Sequence, residues 1–227
     1  MALIAIKTQA EIGKSMVLAP ERYDPRREML TALSAGCSVL LAEVASTVRK
    51  TIAPARGSSE VCLVLDTSDA REGIIVGQRE PVMVADVGSA KKLVEPGDVV
   101  ISRLRPYLRQ VALVDSGIWN WSPGMLLAVS TEFYVLRSRD GGSIAFLVPF
   151  LLSRLVQEVL SASQEGGHHP RFHETALLSL PIPKDLIARR GEHSCIVEEA
   201  IRCYRDTEQA IASVIRTANG LLDRHAT

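Results

Sequence analysis

The sequence lacks the signatures that most directly announce a chemistry. Its four cysteines, Cys37, Cys62, Cys195 and Cys203, form no Cys-x-x-Cys pair, so neither a zinc knuckle nor a disulfide framework is indicated. Reduced thiols in a cytoplasm fit that scatter best. There is no Gly-x-x-x-x-Gly-Lys-Ser/Thr phosphate loop, no Gly-x-Gly-x-x-Gly after a strand and no Gly-x-Ser-x-Gly nucleophile elbow. The longest apolar stretch, Ile144 to Val156, is interrupted by Pro149, Ser153 and Arg154 and falls short of the ~20 residues that span a bilayer. The opening Met1 to Lys7 is apolar over too few residues for a signal peptide and has no basic segment before it. Excess charge is missing too: 26 Lys and Arg balance 26 Asp and Glu, which argues against a protein coated in basic charge but not against a basic face. The expectation is a soluble cytoplasmic protein with no metal, no cofactor and no membrane partner.

With 47% hydrophobic and 23% charged residues, the chain has the composition of an ordinary globular protein. Its 227 residues suffice for one domain plus an appendage. Asp24-Pro25 reads as a helix start, with a helix over Arg26 to Ser34 that ends at Gly36. Val39, Leu40, Val44, Ala45 and Val48 have a rough helical spacing, which predicts a short helix or turn within Ser38 to Lys50. From Val61 the pattern turns to short strands between turns: Val61–Leu65, Ile74–Val76, Val82–Ala85, the β-branched run after the Pro96–Asp98 turn, Val111–Val114, Leu126–Val129 and Glu132–Leu136. The period then lengthens, and Phe150, Leu152, Leu155, Val156, Val159 and Leu160 predict a buried helix from Ile144 or Pro149 to Ser161. A polar loop over His168 to His173 and a last apolar segment, Leu177 to Ile182, follow.

From Gly191 the chain is a different object. Val197, Ile201, Tyr204, Ile211, Ile215 and Leu222 recur in helical steps, with Ile196, Ala200, Cys203, Ala210, Val214 and Leu221 in a second row beside them. About thirty helical residues extend ~45–50 Å, too long for a body of this size to cover. The stripe needs a partner helix, which predicts a homodimer or docking on another protein.

The chain's most distinctive stretch is Gly97 to Val114, in which two apolar strands flank a basic corner. There Arg103, Arg105 and Arg109 surround Tyr107, and Lys91 and Lys92 lie just before. Two readings stand on residue types alone: an elbow offering guanidinium forks to a polyanion, or a hairpin with solvated arginines. His168, His169 and His173 suggest a metal only by residue type, and no carboxylate or cysteine at ligand spacing accompanies them. Glu60, Asp66, Asp69 and Glu72 could be drawn into a nuclease site, yet their spacing is generic and lysine is absent around them. Trp119 and Trp121 would share a face in an extended segment, as core packing or as a stacking platform.

The order of several blocks resembles a target recognition domain from the specificity subunit of type I restriction-modification systems. The blocks are Gly97 to Pro106, Val111 to Val114, Ser130 to Arg137, Phe150 to Gln157, Gly166 to Arg171 and Leu180 to Pro183, with Glu21 to Pro25 and Cys62 to Asp66 in similar places. The resemblance implies a mixed α/β (α+β) recognition domain with a β-rich centre, residues 1–190, followed by one long coiled-coil helix, 191–227. It implies a non-enzymatic reader of double-stranded DNA that recruits a methyltransferase subunit. Such subunits usually carry two domain-plus-helix units, whereas this sequence has one, so a homodimer of half subunits on a two-part site is expected. Lys91, Lys92, Arg103, Arg105, Tyr107, Arg109, His169 and Arg171 are the expected DNA contacts, although the loops Arg71 to Glu80 and Ser116 to Pro123 are rival base readers. Rival functions are an interaction or regulatory module of a defence system and, further off, a nuclease.

Overall fold

The structure is a computed structural model that describes residues 6, 8–12, 23, 25, 38–55, 57–166 and 169–225. The helix expected over Arg26 to Ser34 lies outside the described residues, as do Cys37 and His168. In chain order the elements are α1 (Gln9–Ile12), β1 (Ser38–Leu40), α2 (Leu41–Val44), β2 (Ala45–Thr47), β3 (Thr51–Ile52), β4 (Val61–Leu65), β5 (Ala70–Arg71), β6 (Ile74–Ile75), β7 (Val82–Met83) and β8 (Lys91–Leu93). They continue with β9 (Val99–Ser102), β10 (Val111–Leu113), β11 (Leu126–Val129), β12 (Phe133–Ser138), α3 (Leu147–Leu152), α4 (Arg154–Ala162), β13 (Gln164–Glu165) and β14 (Arg171–Phe172). The chain closes with α5 (Glu174–Leu178), β15 (Pro181–Pro183), α6 (Lys184–Ala188) and α7 (Arg190–His225). This is the expected mixed α/β architecture with a β-rich centre and a long C-terminal helix.

The strands between Ala45 and Ser138 build two larger sheets and a separate β5-β6 pair. One has the order β10-β9-β12-β2 and is antiparallel throughout. The other has the order β3-β8-β11-β4-β7, with β11 and β4 parallel. Side chains alternate across the first sheet, as strand geometry requires. Val99, Ile101, Val111, Leu113, Tyr134 and Leu136 join a core with Phe146, Leu147, Leu151, Val156 and Leu160 from the helices. Val100, Ala112, Phe133 and Val135 point the other way, into a core with Leu63, Leu65, Leu127 and Val129 of the second sheet. The four-stranded sheet is therefore sandwiched, and its uninterrupted apolar runs follow from burial on both faces.

Several expected elements differ. Within Ser38 to Lys50 the expected short helix or turn is the single turn Leu41–Val44, which buries Leu41 and Val44, and strands flank it: Ser38–Leu40 pairs with Pro181–Pro183 and Ala45–Thr47 with Leu136–Ser138. Open sheet edges outweigh so weak a helical period. The helix expected to end at Ser161 is two, because Ser153 is extended with φ −61° and ψ 145°. That break releases two carbonyls: Leu151 O accepts from Gln157 Nε2 at 2.6 Å and Leu152 O from Arg109 at 2.9 Å. The loop expected over His168 to His173 contains β14, which pairs with β13, and Leu177 to Ile182 is the end of α5 and the start of β15. Gly73 leaves no room for a side chain, since it has φ +108° and a Cβ there would meet Val148 Cγ1 at 3.2 Å.

The 36-residue α7 is half docked and half free. Ser194, Ile201 and Arg205 are buried, whereas Ile211, Val214, Ile215, Leu221 and Leu222 are exposed. Arg205 is the anchor: it forks onto Asp115 at 2.8 and 3.1 Å, donates to Ile75 O at 2.7 Å and pairs with Glu208 at 2.6 Å. Both Arg205 and Asp115 are nearly enclosed, with side-chain exposures of 8% and 11%. Removing one member of such a pair leaves the other uncompensated. Arg205→Ala is expected to lower unfolding stability by about 3–5 kcal/mol in urea titrations, and Arg205→Met with Asp115→Leu to recover part of that loss.

Candidate nucleic-acid interface

The elbow leaves β9 at Arg103, makes one 3-10 turn over Pro106–Leu108 and enters β10 at Val111. Arg105 and Arg109 bracket the turn with φ of +44° and +53°. A side chain in that left-handed region costs on the order of 1 kcal/mol, so the surrounding contacts must hold the turn in shape. Proline fixes φ at the first turn position, and Arg109 N–H donates to Pro106 O at 2.8 Å. On the far side, Glu72 N–H donates to Arg109 O and Gly73 N–H to Val111 O.

The structure separates the expected site residues. Arg109 turns toward the helices, donating Nε to Glu72 at 2.8 Å as well as bonding Leu152 O. Beside it lies a groove of about 320 Å³ that Tyr107, Arg109, Arg154, Gln157, Glu158 and Ser161 line. Gln157 is buried there with its Oε1 unpaired among the described residues. Arg103 turns the opposite way, onto Glu132 at 2.8 Å. Arg171 meets the same carboxylate with Nε at 3.0 Å and NH2 at 2.8 Å, and spends NH1 on His169 O at 2.9 Å. Arg105 and Tyr107 remain at the tip, exposed and without a side-chain partner among the described residues.

Strand alternation separates the two lysines as well. Lys91 Nζ donates to Ser89 Oγ at 2.8 Å. Lys92 Nζ donates to Phe133 O at 2.5 Å and lies 5.4 Å from the centre of the Tyr134 ring. Burial and the like charge of Arg103 push the Lys92 ammonium down. Tyr134 in turn ties β14 to the sheet, donating Oη to Phe172 O at 3.0 Å. His173 approaches Glu165 at 3.4 Å, and His169 is exposed. Among the described residues no group of three or more His, Cys, Asp or Glu side chains is placed to hold a metal ion, and none of their helices is long and apolar enough to cross a membrane.

Three of the four acids raised as nuclease candidates, Asp66, Asp69 and Glu72, have arginine partners. Asp69 takes the Arg79 guanidinium at 2.9 and 3.0 Å and the Asp66 N–H at 2.7 Å, and Glu72 holds Arg109. Trp121 packs against the inter-sheet core and donates Nε1 to Met125 O at 3.0 Å. Asn120 has φ +62°, so the segment is not extended and the shared-face expectation for the tryptophans does not apply. Sequence reasoning missed Arg49, Glu132 and Glu174, which join this surface. Arg49 NH2 and Thr47 Oγ1 both donate to Glu174 Oε1, at 3.0 and 2.8 Å. Their only sequence signal is charge beside a strand end, because partners 125 and 127 residues apart are set by topology.

No protein-family model matches the sequence, and no curated protein matches it. Solved structures do. One, from work on complex assembly and conformational transition of the type I R-M system, aligns with a TM-score of 0.53 and 23% identity over 79% of this chain and 47% of its own. The HsdS subunit from Thermoanaerobacter tengcongensis aligns with a TM-score of 0.52 and 22% identity over 81% of this chain and 46% of its own. The chain shares their fold and spans just under half their length.

Glu132 supplies a pH test of the clamp. Its hydrogen bonds with Arg171, and then with Arg103, outweigh burial and hold its carboxyl at about 2 against an ordinary 4.5. A carboxyl depressed on folding contributes stability that is full above the ordinary value and lost as pH falls toward the folded one. The urea midpoint of Glu132→Gln should therefore lie below that of the wild type at pH 7, and the gap should close between pH 4.5 and about 2.

Proposed function

We propose that this chain is a sequence-specific double-stranded DNA recognition component that directs a partner methyltransferase or restriction complex to a two-part site. In this reading residues 1–190 are the recognition domain and 191–227 the helix that pairs two copies. The observation that carries it is the apolar end of α7, left exposed on a chain that has the fold of the type I neighbours and aligns with just under half of their length. Two copies joined there would restore two recognition units at a set separation. Cytoplasmic location follows from that role, which needs access to DNA and to the methyltransferase.

The elbow supports the DNA reading through Arg105 and Tyr107, which stay available at a braced tip. Phosphate contacts from Lys and Arg would supply salt-dependent affinity, and base-edge contacts would supply discrimination. A second reading, an interaction module that keeps the scaffold without reading DNA, draws on the pairing of Arg103, Arg109 and Arg171 with carboxylates.

A gel-shift titration with random duplex at two salt concentrations separates the readings. A DNA reader loses affinity steeply as salt rises, an interaction module does not bind, and a nuclease consumes the duplex when magnesium is added. Light scattering should give a dimer at tens of micromolar, and Ile211→Glu with Ile215→Glu should give a folded monomer. A wild-type monomer would remove the paired-copy reading.

A further inference from the structure

Four chain segments that are distant in sequence converge beside the elbow. Arg49 follows β2, Lys92 lies on β8, Arg103 leaves β9 and Arg171 starts β14. Two carboxylates, Glu132 and Glu174, are set among these four cations, so the cluster carries an excess of two positive charges. Arg171 is engaged within the protein through all three of its nitrogens. The other three cations are engaged less completely. Arg49 is 80% exposed and its single bond is to Glu174. Arg103 engages Glu132 through Nε and is one-third exposed. Lys92 gives one hydrogen bond to Phe133 O, and each ammonium has three donors.

Each of these cations is thus held by internal contacts, which for Arg103 include Tyr134 as well as Glu132, and retains donors to spare. That is the arrangement of a preorganised anion site, in which the cost of orienting long side chains is met before the ligand arrives. The three also lie close enough for their charges to interact: after burial itself, Arg103 and Arg49 work against protonation of Lys92, and Glu174 and Glu132 only partly offset them. An anion brought among them would relieve that repulsion. The ligand must be compact, strongly acceptor-rich and singly or doubly charged, which fits a phosphodiester oxygen pair better than a base edge. A base edge offers Arg a matched acceptor pair only for guanine, whereas any phosphate accepts from all three groups.

We propose that Arg49, Lys92 and Arg103 form a phosphodiester site for the duplex backbone, with Glu132 and Glu174 as positioning carboxylates; this rests on the DNA-recognition reading above. The site fixes the register of the domain on the duplex and carries no sequence information. The elbow tip, with Arg105 and Tyr107, is a separate feature.

The full-length protein is titrated with random duplex, and with a duplex selected from a randomised pool, across a series of salt concentrations. Arg49→Gln is the main variant, because that side chain is exposed and its loss leaves the core intact; an unchanged melting temperature checks this. The expected result is a loss of affinity by the same factor for both duplexes and a log–log salt slope shallower by about 0.9, one phosphate contact. The selected sequence should not change. Glu174→Gln, which removes the counter-charge of Arg49 but keeps an acceptor for Thr47, should bind random duplex more tightly than the wild type. An unchanged slope in Arg49→Gln, or an altered selected sequence, overturns the site while leaving the DNA reading in place. A wild-type protein that binds no duplex overturns both.

Discussion

The four-stranded sheet has no solvent face. With β9, β10 and β12 apolar on one side against helices and on the other against a second sheet, a polar side chain has no place along their length except where a specific partner waits. Asp98, at the entry to β9, is buried and is met by two nitrogens of Arg137 at 2.8 Å each. Everything else that is charged is displaced to the strand ends. The elbow, the Glu132 clamp and the α7 anchor at Asp115 are all such ends. A layered core of this kind separates the burden of stability from that of recognition, since burial of the strands supplies the first whatever the corners contain.

The corners are nevertheless far from plain. Arginine at a strand end can donate to a carboxylate in a planar fork and still pack its stem, which lysine does less well. Arg103, Arg109, Arg137 and Arg171 serve this way near strand ends, and Arg205 does the same from α7, each linking elements that backbone pairing leaves apart. The extended residue Ser153 adds a second device. By interrupting the helical hydrogen bonds, it exposes a carbonyl that Arg109 then takes, so the strained elbow is braced against a helix break rather than against a regular helix.

The strands were largely legible in the sequence because alternation and β-branched runs are local signals, and Val61–Leu65, Val99–Ser102, Val111–Leu113 and Leu126–Val129 form where those signals lie. The long helix was legible for the same reason. The strands on either side of Leu41–Val44 were not, since they exist only by virtue of edges supplied by residues 136–138 and 181–183. For the candidate site, the sequence indicated which residues are basic and left their partners hidden. Nothing near Arg103 announces that Glu132 and Arg171 will share its carboxylate contact, and nothing near Asp115 announces Arg205, 90 positions on. Pairings of that separation are products of the topology, and they decide which arginines remain available.

The half-docked helix behaves mechanically as a cantilever. Its clamped part ends near Arg205 and Glu208, and the 16 residues from Ala210 to His225 project about 24 Å beyond it at 1.5 Å per residue. Over that length a tilt of about 10° at the clamp displaces the tip by about 4 Å, comparable to one residue of extended chain. Whatever the tip grips is therefore positioned no more sharply than the clamp is stiff. At the root that stiffness comes from a buried guanidinium bonded to Asp115, Ile75 O and Glu208 at once.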